Sequence, residues 1–390
     1  MASHTFAERE EAAAGILLYG EAAIPLVAAQ AEHPDPEVRL RVRVLLARLS
    51  HNDFEAAITA FSTGASDQLD GWEYAKKMIG DGKGQRELFI EATRLHREMM
   101  ATLDEDSNAR ALATEKTADS VVHRMMVEFQ PPQRGDAVAL LLASADRSMP
   151  LPLVAERVIV RSLNYGITTQ TMQDALLSPV YQKLIGFWVR RASDQYRSAA
   201  MVISLQHKVP ESIDLALDVV KQYVDSRPKE RDNEIVEVRE SEILEQAILV
   251  IAKYAQRKHL DALEPLFVDA RPLAINPDAP EDATVPMQIQ VRDVAMAVAI
   301  KVLDGDLKEA GYTNPREHAI VVLDTRSLGF PGPEDALRDK PAKYLNRLMK
   351  KEADESGPDE SHADGTASDP IAPDADRDAT VDKGKGDTKP

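Results

Sequence analysis

The stretch from Gly20 to Leu49, GEAAIPLVAAQAEHPDPEVRLRVRVLLARL, decides the fold because it contains the boundaries of successive helices. Gly20 ends one helix, since glycine favours the position that follows a helix C-terminus. Pro25 fits the first turn of a second helix. Asp35 and Pro36 combine an N-cap carboxylate with a proline at the first position of a third helix. The stretch therefore predicts short helices joined by tight turns.

One side of the helix that begins at Pro36 is apolar, because valines and leucines recur at helical spacing. These residues are Val38, Val42, Leu45 and Leu49, and the arginines that lie off this side are Arg39, Arg41, Arg43 and Arg48. A single helix pair cannot bury such a side alone. We therefore predict stacked helix pairs, an all-α fold of the α-α superhelix type.

The order of these features resembles a HEAT repeat: a helix ending in Gly, then A-x-x-P-L, then D-P-x-V-R opening the next helix. Three longer stretches resemble the HEAT-like proteins of planctomycete bacteria. They are FAEREEAAAGILLYGEAAIPLV near the start, DGWEYAKKMIGDGKGQRELFIEA from Asp70, and IQVRDVAMAVAIKVLDGDLKEAGY from Ile289. The resemblance covers most of residues 1–312 and implies a HEAT/armadillo-like solenoid. It implies no activity, because that group has no established biochemical function.

A second copy of the repeat phrase contains an insertion. Ala262 to Leu266 repeats A-x-x-P-L, and Val291-Arg292 repeats Val38-Arg39. The proline and the valine are 26 residues apart in the second copy and 13 in the first. The prolines of the insertion prevent either flanking helix from continuing through it. We therefore expect a protruding loop near 270–286.

The rest of the chain predicts three regions. Residues 1–104 form N-terminal helical repeats, residues 105–352 continue the array, and residues 353–390 form a disordered acidic tail, since they contain almost no large aliphatic side chains. His51 to Phe61 reads as a further short helix. No alternating strand pattern occurs, so we expect essentially no sheet.

Composition restricts the partners. The formal net charge of −18 disfavours nucleic acid, whose phosphates it repels. The absence of cysteine removes thiolate chemistry and cysteine-bound metals. No run of residues is long and apolar enough for a membrane span. The N-terminus lacks a basic segment before its apolar stretch, which favours a cytoplasmic protein over an exported cell-envelope protein with a missing leader.

Motifs for chemistry are weak. The cluster Gly80-Asp81-Gly82-Lys83-Gly84 lacks the order of a phosphate loop and is typical of a joint between helices. The histidines show no metal-binding pairs. The aspartates near the C-terminus match a calcium loop only in part, because Lys385 replaces its glutamate. We expect no cofactor and no metal.

Two sets of residues remain as candidates. In the first set, Asp35, Arg39, Arg292 and Asp293 would form a structural ladder between repeats, as Asp and Arg do in HEAT arrays. In the second set, Arg190 and Arg191, which follow Trp188, and Asn276 and Asp278, which lie in the insertion, would form a partner surface. The alternative for the two arginines is that Trp188 is buried and they cap a helix C-terminus.

The function that this pattern favours is a non-catalytic protein-interaction scaffold with a protein partner. A solenoid presents a long surface whose side chains vary without disturbing the core. The alternative is an enzyme or a small-ligand-binding protein built on the same fold, as in the HEAT-repeat bilin lyases.

Overall fold

The computed structural model describes residues 5–226, 238–275 and 287–355 of the chain. It is 69% helix and 4% strand, which confirms the mainly helical class. The chain divides into a large unit, Met1–Leu348, and a small unit, Met349–Pro390. Of the small unit, only the end of the last helix lies among the described residues, so the features below belong to the large unit.

The first three helices follow the predicted boundaries. They are α1 (Phe6–Leu18), α2 (Ile24–Ala28) and α3 (Pro36–Ser62). Gly20 adopts a φ of +58° after α1. The side chain of Asp35 accepts a hydrogen bond from the Glu37 N–H at 2.9 Å, which confirms the predicted N-cap. The glycine, proline and N-cap residues of the sequence therefore predict the boundaries of these helices correctly.

The predicted separate helix from His51 to Phe61 is wrong, because α3 continues through it to Ser62. No glycine interrupts residues 36–62, and their only proline occupies the first helical position, so nothing ends the helix earlier. Buried side chains stop at Leu49 and resume at Ile58. One helix therefore supports two separate patches of core.

Thirteen more α-helices follow in the described residues. They are α4 (Trp72–Ile79), α5 (Lys83–Leu95), α6 (Arg97–Ala101), α7 (Ser107–Val127), α8 (Arg134–Ala143), α9 (Leu153–Leu163), α10 (Gly166–Gln173), α11 (Ser178–Val189), α12 (Arg197–His207), α13 (Ser212–Ser226), α14 (Val238–Tyr254), α15 (Val291–Val302) and α16 (Asp339–Glu355). Helices that pack together are near neighbours in the chain: α5 contacts α8, α8 contacts α9, α13 contacts α14, and α14 contacts α15. Packing of this local kind is typical of helical repeats.

The core is mostly aliphatic, with one aromatic cluster near its N-terminal end. Phe61 and Trp72 meet edge to face with ring centroids 4.9 Å apart, and Trp72 meets Phe89 in the same way at 5.1 Å. All three side chains are fully buried. The guanidinium of Arg86 lies 4.7 Å from the Phe61 ring and hydrogen-bonds to the Phe61 carbonyl. This cluster joins the second half of α3 to α4 and α5.

The expectation of no sheet is wrong. A three-stranded antiparallel sheet orders its strands β1 (Pro272–Ile275), β2 (Met287–Gln290) and β5 (Phe330–Pro331), and a separate hairpin joins β3 (Glu317–His318) to β4 (Val322–Leu323). The strands have four residues or fewer, too few to show an alternating pattern. In the region of the predicted loop near 270–286, residues 272–275 form strand β1. Residues 276–286 and most of the predicted tail, 353–390, lie outside the described residues.

Candidate functional site

The first three helices leave large apolar side chains in solvent. Within residues 5–226, 238–275 and 287–355, six of 17 exposed large apolar side chains belong to these helices and the turn after α1. We call the six the N-terminal apolar surface, and they are between 45% and 89% exposed: Phe6, Leu18, Tyr19, Leu26, Leu40 and Val44. Six exposed apolar side chains within about 40 residues make this region a candidate for interaction.

Helix α1 lies on a thin core. None of its residues is fully buried. It packs Ala13, Ile16 and Leu17 against a cluster whose buried members are Ala23, Val27, Val38, Val42, Leu45 and Leu49. Because α1 touches this cluster with one side only, its remaining apolar side chains face outward. A partner that covered α1 would complete a second layer of packing.

Two grooves border α1. The α1–α2 groove has a volume of about 440 Å³ and an apolar lining: Ile16, Tyr19, Ala22, Ala23, Leu26 and Val27. The α1–α3 groove has a volume of about 260 Å³ and a mixed lining: Arg9, Glu10, Ala13, Glu37, Leu40, Arg41, Val44, Leu45 and Arg48. Exposed apolar side chains therefore lie in concave surfaces that can hold a partner's side chains.

The charged groups in the α1–α3 groove are unevenly paired. Arg41 contacts both Glu10 and Glu37 at 3.2 Å, and Arg9 contacts Glu37 at 3.6 Å. Arg48 lines the same groove and is exposed, but its side chain forms no hydrogen bond or ion pair with any described residue. The groove thus has one cation that no neighbour neutralises.

The four residues of the predicted ladder bond elsewhere. Arg39 donates hydrogen bonds to the backbone carbonyls of His33 at 2.7 Å and Pro34 at 2.9 Å, while Asp35 caps its own helix. Arg292 pairs with Asp335, and Asp293 pairs with Arg338. Among the described residues, therefore, no side chain of the four bonds to the side chain of another of the four. Asp35 and Arg39 fix the turn that precedes α3, whereas Arg292 and Asp293 contact the segment that precedes α16.

The two arginines of the predicted partner surface have different surroundings. Arg190 is exposed and approaches Glu211 at 3.7 Å. Arg191 is half-buried and donates hydrogen bonds to three backbone carbonyls, those of Ser144, Asp146 and Met149. Trp188 is fully buried, and Arg190 is the C-cap of α11. Arg191 therefore has a structural role, because its guanidinium binds these three carbonyls together. Asn276 and Asp278 lie outside the described residues.

The glycine cluster forms the predicted joint between helices. Gly80 is the C-cap of α4 with a φ of +91°, and Gly82 is the N-cap of α5. At Gly84, a Cβ atom would lie 2.5 Å from the carbonyl oxygen of Leu176, which no side chain tolerates. Close packing of α5 therefore explains the last glycine.

A polar cleft of about 340 Å³ lies where the N-terminal helices meet the rest of the large unit. Its lining includes Glu21, Asp53 and Asp70, together with Arg97, whose guanidinium lies 4.7 Å from the Phe54 ring. The Asp53 Oδ2 atom is buried and has no hydrogen-bond partner. This cleft is therefore a candidate site for a small polar ligand.

The N-terminal apolar surface was missed at the sequence level, although its signal is visible. Leu40 and Val44 are four residues apart and lie between the arginines, on the side of α3 opposite the apolar core residues.

Within the described ranges, no group of three or more His, Asp or Glu side chains has the geometry to hold a metal ion, and no helix there is long and apolar enough to cross a bilayer. Comparisons with family models, with curated proteins and with solved structures find no match.

Proposed function

We propose that this protein is a non-catalytic interaction scaffold whose HEAT-like helix pairs present the N-terminal apolar surface to a protein partner. The observation that carries the proposal is the concentration of exposed apolar side chains on α1, α2 and α3, beside two grooves. Exposed apolar area costs solubility, so its retention on one surface points to a partner that covers it.

The HEAT-like part of the proposal is supported by two repeated features. Successive helices pack on near neighbours. The two copies of the repeat phrase also adopt related structures, because Pro25 and Pro265 each lie at the start of a short helical turn. Val38 and Val291 are both buried near the start of the helix that follows. We propose that the protein acts in the cytoplasm, with export as the alternative.

The proposal is tested by affinity capture with tagged full-length protein in a lysate of the source organism. Leu26→Glu and Leu40→Glu each put a charge on the N-terminal apolar surface. Leu153→Glu is the matched control, because Leu153 is 52% exposed on α9 and Leu40 is 61% exposed on α3. We expect captured proteins to be lost with the first two variants and kept with the third. The same capture with all variants would overturn the proposal.

A second candidate function is small-ligand binding in the polar cleft, favoured by the unpartnered Asp53 Oδ2. A buried carboxylate oxygen without a donor is costly, and a cationic or hydroxyl-bearing ligand would supply one. A thermal-shift screen of polyamines and polyols against wild type and Asp53→Asn tests it. A shift in wild type that Asp53→Asn abolishes would support the site, and no shift from any compound would remove it.

A further inference from the structure

We propose that the α1–α3 groove binds an amphipathic helix of a partner protein that carries an acidic residue beside its apolar stripe. This inference rests on the proposed function and names the chemistry of the partner. It follows from three properties of the groove: an apolar floor, a helical spacing of that floor, and one unneutralised arginine.

The floor is apolar and linear. Leu40 and Val44 are both exposed and lie one turn apart on α3, and Ala13 faces them from α1. Arg48 lies one further turn along the same line. The distance along α3 from Leu40 to Arg48 is about 12 Å, at about 1.5 Å per residue. A second helix laid in the groove would match this line with apolar residues at i and i+4 and an acid one turn on.

The charge of the groove favours a partner segment that carries a negative charge. Its lining has three arginines and two glutamates, a net charge of +1, in a chain whose net charge is −18. Glu10 and Glu37 already pair with Arg9 and Arg41, which leaves Arg48 to meet the incoming charge. A helix with a carboxylate at that point gains an ion pair, and a basic helix meets repulsion.

The number of unpaired cations in the lining also argues against a nucleic acid in this groove. Affinity for a phosphate backbone comes from several cations together, and here only one is unpaired. The apolar part of the lining is aliphatic, with no aromatic ring for base stacking. A protein helix satisfies both parts of the groove, since it supplies an apolar stripe and an isolated carboxylate.

The test uses two synthetic helical peptides with leucine at i, i+3, i+4 and i+7, one with glutamate at its polar positions and its twin with lysine there. Binding to the full-length protein is followed by fluorescence anisotropy at low and at physiological ionic strength. We expect the acidic peptide to bind about tenfold more tightly than the basic one, with the preference reduced by salt. Equal binding of the two peptides, or binding of neither, would overturn the inference.

Arg48→Glu and Arg43→Glu form the matched pair of variants. Both arginines are exposed on α3 and neither side chain bonds to a described residue, but only Arg48 lines the groove. Arg48→Glu should reverse the preference toward the lysine peptide. Arg43→Glu should change either affinity less than about threefold, since its charge acts through solvent. Equal effects of the two substitutions would mean that the groove does not recognise the peptide.

Two further measurements separate this inference from the proposed function. If neither peptide binds while Leu26→Glu still abolishes capture, the acidic-helix inference fails and the scaffold proposal stands. If capture is also unchanged, both fail. Sedimentation of the wild-type protein over a range of concentrations tests a second copy as the occupant. Self-association that Leu40→Glu abolishes would assign the groove to a second copy and overturn the acidic-helix inference.

Discussion

Arg338 grips Asp293 with two parallel hydrogen bonds, Nε to Oδ1 at 2.8 Å and Nη2 to Oδ2 at 2.9 Å. Both side chains are buried, and they are 45 residues apart in the chain. The same carboxylate accepts a hydrogen bond from the backbone N–H of Gln290 and so starts α15. The pair therefore fixes a buried helix to the turn that precedes α16.

Replacement of Arg338 by methionine should destabilise the fold by about 3 to 5 kcal/mol, because it leaves the Asp293 carboxylate buried without its cation. Adding Asp293→Asn should recover part of the loss, since asparagine keeps an acceptor for the helix cap and removes the uncompensated charge. Urea unfolding of the two single variants and the double variant measures the coupling. A double variant that loses the sum of the single losses would contradict this account.

A comparison of alanine substitutions at Gly71 and Gly64 distinguishes the cost of a steric clash from the cost of backbone strain. Both have positive φ, +80° and +74°, but a Cβ on Gly71 would lie 2.0 Å from the Met100 carbonyl oxygen, and a Cβ on Gly64 meets nothing within 4 Å. Gly64→Ala should cost about 1 kcal/mol of strain. Gly71→Ala should cost about 3 kcal/mol or more, because backbone must move. Equal shifts in the midpoint of thermal unfolding would contradict the packing.

Arg191 and Arg190 are neighbours with opposite roles. Arg191→Ala should destabilise the protein by about 2 to 4 kcal/mol, since it removes the charged donor of three carbonyl acceptors. Arg190→Ala should change stability by less than about 0.5 kcal/mol, because Arg190 is exposed and its contact to Glu211 is long. Chemical denaturation compares the two variants. A larger loss for Arg190→Ala would reverse the assignment.

Phe129 follows the end of α7 with a φ of +54° and is 87% exposed. This backbone conformation favours glycine, so Phe129→Gly should raise the free energy of unfolding by about 0.5 to 1 kcal/mol. Phe129→Ala removes the ring and keeps the strained Cβ, so it should change stability by less than about 0.5 kcal/mol. The urea midpoints of the two variants are compared. A stabilisation by alanine equal to that by glycine would assign the gain to the ring.

Asp146 makes the fold sensitive to acid. Burial raises the pKa of this carboxyl, but hydrogen bonds from Ser148 and Arg110 outweigh it and lower the pKa to about 2, from 3.8. A depressed pKa contributes stability above pH 3.8 that is lost as pH falls through 3.8 toward about 2. Asp146→Asn should therefore cost roughly 1 to 2 kcal/mol at neutral pH and almost nothing near pH 2. A cost that does not depend on pH would contradict the assignment.

Helix boundaries were predictable where a cap residue, a proline or a glycine marks them, as at Asp35 and Gly80. The partners of buried charges were not. Asp136 and Asp293 each lie three residues after a glutamine in a capping box that opens a buried helix. Arg124 binds the first carboxylate from 12 residues upstream, whereas Arg338 binds the second from 45 residues downstream. Equivalent local patterns thus take partners from opposite directions, which only tertiary packing determines.

The candidate site was harder to predict for a different reason. The spacing of Leu40 and Val44 is visible in the sequence, but their exposure depends on whether another helix covers that side of α3. The charge of Arg48 is equally visible. Its lack of a partner becomes evident only once Glu10 and Glu37 are seen to be taken by Arg9 and Arg41.

Helix α3 has a mechanical consequence. Its 27 residues form an unbroken rod about 40 Å long, with Arg48 in the groove near its middle and Phe61 in the aromatic cluster near its far end. Because α3 is continuous, a bound partner that displaced its first half would also move its second half, which carries Phe61. We therefore expect a partner that displaces the first half of α3 to alter the packing of Phe61 against Trp72 and Phe89.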